Sequence, residues 1–319
     1  MLDHMICRIP GLRGEEKIKL VKEYSDVNIF SLLSKRDIEN VIGRTLKEAS
    51  WNMADVQKMA LNDAEQAKKT GIHRVSYREK AYPPMLREIF DPPALLFYRG
   101  TLADPGKPLV AVVGTRRPTP KAAERAFALG RELGLSGIPV VSGLALGIDA
   151  MAHRGNIEGK AGTIAILGSG VDMVFPSLNR ALARRILENS GAIVSEYPPG
   201  TPPAKWNFPA RNRIISALSR GVVIVEAPEK SGALITAQFA LDQGRDLWVD
   251  GYGVKSPKGA GTASLAEQGA GIINSAEDIL AEWNMSSSEL REKITKSNAA
   301  KSNAAGLASS MAGYLDINL

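Results

Sequence analysis

Between Ser195 and Ser219 the sequence reads SEYPPGTPPAKWNFPARNRIISALS, and within nine residues of it Lys205, Arg211 and Arg213 are interleaved with Trp206 and Phe208. Cations neutralise a phosphodiester backbone, while flat aromatic faces stack on bases that are not paired. The mixture suits a single strand better than a duplex. A second option stays open on local grounds, in which Arg211 and Arg213 pair with carboxylates and Phe208 packs beneath the segment. Pro198, Pro199, Pro202 and Pro203 stiffen the stretch and reduce the entropy lost on presenting its side chains.

Three further segments carry glycine where an anion could approach the backbone. Gly114-Thr115-Arg116-Arg117 follows the apolar run 109–114 and precedes a helix opening near Pro120. The amides, the Thr115 hydroxyl and the Arg116 fork could all donate to phosphate oxygens there. SGLALGID at 142–149 holds Gly143 and Gly147, which either admit a ligand or let helix and strand pack closely. Asp149 is expected to cap a helix or organise that loop, and His153 to be a satisfied buried histidine. LGSGVDMVFPSLN at 167–179 repeats the pattern with Gly168 and Gly170.

The elements that must position these loops are short β-rich apolar runs at 109–114, 138–143, 163–168, 192–195, 222–226 and 246–250, alternating with helical stretches. Runs this continuous need both faces covered, which predicts a doubly wound α/β domain with a mainly parallel sheet. Ligands of such sheets sit at the carboxyl ends of the strands, where all four loops lie. Residues 1–75 instead show helical spacing and predict a small all-helical N-terminal domain, of helix-hairpin-helix or similar kind. Within it, Ile9–Gly14 is either a plain turn or a turn whose amides meet a phosphate. Residues 76–100, with four prolines, predict an extended connection; 101–283 then form the sheet domain. Residues 284–319, rich in Ser, Asn and Ala, predict a low-complexity tail.

Composition excludes several classes. Forty Lys and Arg against 34 Asp and Glu leave a net charge of +6, which suits an anionic partner without requiring one. Cys7 is the sole cysteine, and His4, His73 and His153 are scattered, so neither an internal disulfide nor a zinc site is expected. No apolar run approaches the roughly 20 residues that span a bilayer, and a cytoplasmic location follows as the expectation. The dinucleotide fingerprint, the Walker loop and the nucleophile elbow are all missing, so no cofactor is expected. Glu196 and Glu226 end strands near the cradle, where they act as acid or base or anchor loops.

Taken in order, Gly114-Thr115-Arg116, SGLALGID, LGSGVDMVFP, SEYPPG, FPARNRIISALS, VVIVEAPEKSGALITA and the earlier YPPMLREIFDPPALLFYRG resemble the successive signatures of the DprA/Smf family. The resemblance runs from about residue 77 to 283 and is looser before it. It implies an extended Rossmann-like fold that dimerises, protects incoming single-stranded DNA during natural transformation and loads the RecA recombinase, with no catalysis. It implies DNA contacts from Thr115, Arg116, Gly143, Gly200, Lys205 and Phe208, with Arg211 and Arg213 either contacting DNA or serving structure. The helix from Gly232 to Gly244 is a candidate interface, or simply packs in the core. Two departures from the family pattern stand out: Val249-Asp250-Gly251 replaces a Pro-Gly, and Gly261-Thr262-Ala263 replaces a Gly-x-Asn turn, which is expected to loosen a loop at the pocket rim. Too few residues follow Trp283 for the winged helix that many relatives carry. The rival from another class is a Rossmann-like nucleotide hydrolase of phosphoribohydrolase type, using the same cradle and a strand-end glutamate.

Overall fold

The computed structural model describes residues 1–47 and 51–286, so the expected tail lies, beyond Ser286, outside the described residues. Five helices come first: α1 (Leu2–Arg8), α2 (Gly14–Glu23), α3 (Val27–Ser31), α4 (Lys35–Ile42) and α5 (Met53–Lys69). Side-chain caps fix three of their starts, with Asp26, Ser34 and Asn52 each accepting backbone N–H groups. Met5, Ile6, Leu20, Phe30, Ile38 and Val56 close a core of their own. Gly11 turns the chain between α1 and α2 at φ 74°, and its carbonyl accepts from Arg44.

The chain then builds β1 (His73–Ser76), α6 (Pro84–Arg87), β2 (Leu95–Gly100), β3 (Val110–Val113), α7 (Pro120–Leu135), β4 (Val140–Ser142), α8 (Ile148–Glu158), β5 (Ile164–Ile166), α9 (Arg180–Glu188) and β6 (Ala192–Ser195). It continues through α10 (Asn207–Ala217), β7 (Gly221–Ile224), α11 (Gly232–Asp242), β8 (Asp246–Asp250), α12 (Gly251–Lys255), α13 (Ala260–Glu267), β9 (Gly271–Ile273) and α14 (Ala276–Glu282). All six predicted strands are present. They belong to one nine-stranded sheet in the order β1-β2-β6-β5-β4-β3-β7-β8-β9.

Strands β3 to β9 pair in parallel, while β1 and β2 run antiparallel at the edge. From β3 the chain winds one way through β4, β5 and β6, then returns to the other side of β3 as β7. Val110 pairs Gly221 and Val113 pairs Ile224 across that reversal. A crevice opens where crossovers leave in opposite directions, at the carboxyl ends of β3 and β7. One core covers each face of these strands: Ala111, Val113, Val222 and Ile224 face one, Val110, Val112 and Val223 the other.

The extended connection expected over 76–100 ends in a strand of the sheet. Once past Pro93 the sequence LLFYRG is β-rich, and β2 pairs Phe97 with Ser195 of β6 and Val75 of β1 with its own Leu96. The prolines end before the strand begins, so they shape the approach to it. The helical N-terminal part consequently packs on this edge, with His4 meeting Phe97 edge to face at 5.5 Å.

Candidate functional site

The turn after β3 is shaped by Thr115. Its amide donates to the Glu226 carbonyl at 2.8 Å, its carbonyl accepts from Ile148 at 3.2 Å, and its hydroxyl accepts from the Arg117 amide at 3.2 Å. Arg116 and Arg117 are thereby turned out to solvent. Gly147, at φ 79°, has no room for a side chain, since a Cβ would fall 2.4 Å from the Thr115 carbonyl oxygen. Its role is close packing, one of the two open options.

Glu226 is fully buried behind this turn. Its carboxylate accepts from the Thr119 amide and hydroxyl, both at 2.8 Å, and from the Ser256 hydroxyl. It anchors loops. Asp149 does the same after β4, accepting from the amides of Gly143 at 3.1 Å and Ala145 at 3.3 Å. Burial raises its pKa above the ordinary carboxylate value, against the pull of Arg211 and these hydrogen bonds. His153 is fully buried on α8. Thr163 donates its hydroxyl to the Val140 carbonyl, so His153 Nδ1 carries the proton of their 2.7 Å contact.

The segment after β6 is where structure departs furthest from local expectation, because α10 begins inside it. Pro209 is tolerated in the first turn, where no intrahelical acceptor awaits its missing N–H. Positions two apart on a helix point about 200° from each other, and Arg211 and Arg213 separate accordingly. Arg211 turns toward the β4 and β5 exits and donates to the carbonyls of Gly143, at 2.8 Å, and Ile166. A Cβ on Gly143 would lie 2.2 Å from its Nη2, so the glycine makes room for the guanidinium. Burial pulls the Arg211 pKa down to about 10, with Asp149 opposing and Arg116 adding to the effect.

Arg213 faces the opposite way. It meets Asp91 at 2.9 Å and both oxygens of Glu196 at 2.9 and 2.7 Å. Burial alone would lower its pKa, but Glu196 and then Asp91 reverse that and raise it. Of the two roles open to Arg213, contacting DNA or serving structure, these ion pairs favour the structural one, and they engage Glu196 as well. Gly200 is engaged within the protein. Its amide donates to both oxygens of Asp172, at 3.0 and 2.9 Å, and it does not line the cavity described next. An anion would have to displace a carboxylate to reach it.

Arg116, Lys205, Phe208 and Arg211 do converge. They line one open trough of about 700 Å³ at the reversal between β3 and β7. The Arg116 guanidinium stands over the Phe208 ring at 5.8 Å, and the Phe175 ring lies beside it, tilted by 38° with the centroids 5.6 Å apart. Cation and ring attract when so placed. Lys205 is exposed at the rim, and Thr115 lies behind Arg116. Gly143 joins the rear recess through Arg211.

Three lining groups escaped the sequence reading: Phe175, Arg117 as a second cation, and Lys230 ahead of α11. Lys230 follows β7 as Arg116 follows β3, which was the signal available. The α11 helix buries Ala233, Thr236, Ala237 and Ala240 and leaves Ile235 and Leu241 exposed. Thr262 does not loosen the rim, because its buried hydroxyl accepts the Ala227 amide at 2.8 Å. Asp250 caps α12 and pairs with Arg125 at 2.7 Å. Among the described residues no group of three or more His, Cys, Asp or Glu could hold a metal, and no helix is long and apolar enough to cross a membrane.

Residues 73–284 match the family model for DNA recombination-mediator protein A. The chain belongs to the DprA/Smf family. It is 43% identical to the DNA processing protein DprA of Bacillus subtilis strain 168 over 214 residues, which is 66% of this chain and 71% of that one. The X-ray structure of DNA processing protein A from Streptococcus pneumoniae is similar at a TM-score of 0.70 and 33% identity, over 87% of this chain and 95% of the other. DNA processing protein A from Helicobacter pylori, whose structure concerns its single-stranded DNA binding mode, is similar at a TM-score of 0.59 and 31% identity, over 66% and 95%. The family match starts at β1, so the antiparallel edge strands fall inside it.

Proposed function

We propose that the trough binds single-stranded DNA and that the chain performs no chemistry on it. The observation that carries this is the stack at its centre: an exposed guanidinium, Arg116, over the ring of Phe208, in a cavity that Lys205 also lines. Arg116 and Lys205 hold successive phosphates, Phe208 stacks an unpaired base, and Arg117 and Lys230 extend the cationic wall. Thr115 and Gly143 act by shaping the turn and seating Arg211. Arg211 has no carboxylate within ion-pair distance among the described residues, so its charge adds to the positive field at the trough floor. The Helicobacter pylori relative, described for its binding of single strands, supports the same reading.

Within the cell the chain acts as a cytoplasmic homodimer that shields incoming single strands during natural transformation and passes them to the RecA recombinase. This finer role rests on family resemblance. The strand-end carboxylates favour binding over hydrolysis, because Glu226 and Glu196 are both engaged by donors rather than free to move a proton.

Fluorescence polarisation with labelled oligo-dT tests the binding site, using Arg116→Ala and Lys205→Ala singly and together. Loss of binding in the double variant is expected. Unchanged binding overturns the assignment, and base release from nucleoside monophosphates without oligonucleotide binding would establish the hydrolase instead. Light scattering checks the dimer, and RecA filament assembly on single strands, with and without the chain, checks the transfer.

A further inference from the structure

We infer that Trp206 is a second base platform, lying outside the trough, on which a strand leaving past Lys205 stacks one more base. The inference rests on the single-strand reading above but names a residue which that reading does not require.

The chain has four tryptophans. Trp248 and Trp283 are 1% and 7% exposed, meet edge to face at 5.7 Å, and donate their indole N–H groups to Glu282 and Asp246. Trp51 is half-buried against the N-terminal helical core. Trp206 is 77% exposed, at the residue that precedes the first turn of α10, and its side chain caps nothing. An indole is the largest ring a chain can offer, and it is ordinarily highly buried. Among the described residues its indole enters no hydrogen bond or ring contact of the kind that holds Trp248 and Trp283.

Its place along the chain explains what it could meet. Phe208 lines the trough, with Arg116 over its ring and Phe175 tilted beside it. Lys205 lines the same trough at its exposed rim, and Trp206 does not line it. The chain therefore sets an exposed indole directly after a cation that lines the trough and two residues before the ring inside it. Consecutive Cα atoms are about 3.8 Å apart, so a phosphate held by Lys205 brings the adjoining base within reach of residue 206. Pro202 and Pro203 stiffen the approach and α10 fixes the exit, which holds the ring near that lip. Stacking on an indole takes any base, so the platform lengthens the site without adding sequence preference.

The experiment uses the full chain and two oligo-dT probes, one of about 4 nucleotides, sufficient for the trough, and one of about 16. Trp206→Ala should weaken the long probe by about tenfold and the short one little, and Trp206→Phe should retain most of the affinity. Only the unaltered chain should show quenching of its exposed tryptophan emission by the long probe, and a duplex should not reproduce it. Unchanged affinity of Trp206→Ala for the long probe, or absence of quenching while that probe binds, overturns the platform and leaves the trough reading intact. Failure of the unaltered chain to bind either probe overturns both. A Trp206 emission change that follows protein concentration without DNA assigns the ring to a contact between copies and also overturns it.

Discussion

Arg211 and Arg213 sit two residues apart on α10 and serve opposite faces of it. One guanidinium reaches the Gly143 and Ile166 carbonyls under the trough, while the other closes on Glu196 and Asp91 at the seam with the N-terminal helices. The helix that presents Phe208 is thus held from both sides, by backbone carbonyls on one and by carboxylates on the other.

Arg213→Ala should accordingly destabilise the fold without altering the DNA contacts themselves. Its side chain is 9% exposed and that of Glu196 16%, so deleting one partner strands a nearly buried charge. Such deletions cost about 3–5 kcal/mol. Urea unfolding measures the loss. The salt dependence of oligonucleotide binding, measured where the variant remains folded, should match that of the unaltered chain; a shallower slope would place Arg213 against phosphate after all.

Arg116→Ala and Lys205→Ala should each flatten the plot of log affinity against log salt by about 0.7, the single-strand value for one phosphate. Phe208→Ala should weaken binding at every salt concentration by a similar factor, equivalent to about 1–3 kcal/mol, with the slope kept. Polarisation titrations across a salt series separate the two behaviours. Equal slopes in all three variants would mean that neither cation meets the backbone.

Much of this was legible before any coordinates. Continuous runs such as VAVV and GVVI have one stable use, as strands covered on both faces, and the glycine and arginine at the β3 exit stood where a parallel sheet binds ligands. What escaped was short or non-local. β9 is three residues, and β1 reads HRVS, with its charged residue inside the strand. The divergence of Arg211 from Arg213 follows from a two-residue step once α10 is known to begin at Asn207, but the prolines before it read as loop. No local pattern could reveal that Asp172 already occupies the Gly200 amide, since the two meet across 28 residues.

Thr262→Val should show that the rim is held rather than loosened. Valine keeps the shape but leaves the buried Ala227 amide without its 2.8 Å acceptor. A buried donor left unpaired costs about 1–3 kcal/mol. Because Ala227 adjoins Pro228 of the trough wall, oligonucleotide affinity should also fall, though by less than in Lys205→Ala. Unfolding and binding measured on one preparation test both expectations, and a variant as stable as the parent would show that the hydroxyl is dispensable.

Acid should weaken the fold through His153, and the sign follows from its burial. Burial first, and Arg211 second, lower its pKa from 6.5 to about 3, while its Nδ1–H is given to Thr163 and its Nε2 has no partner among the described residues. Between those two values the unfolded chain binds a proton at this position and the folded chain does not. Stability must therefore fall as pH drops from 6.5 toward 3, and be regained as pH rises through the same window, by an amount on the order of a few kcal/mol. His4, lowered to about 4 by burial and by Arg74, adds a slope of the same sign over the upper part of the range. His153→Gln can keep a hydrogen bond to Thr163 but has no proton to gain, so its unfolding free energy should vary less between pH 7 and pH 4 than that of the unaltered chain. Equal pH dependence in the two proteins would mean that His153 is protonated in the folded state, which burial and the repulsion of the Arg211 charge make unfavourable.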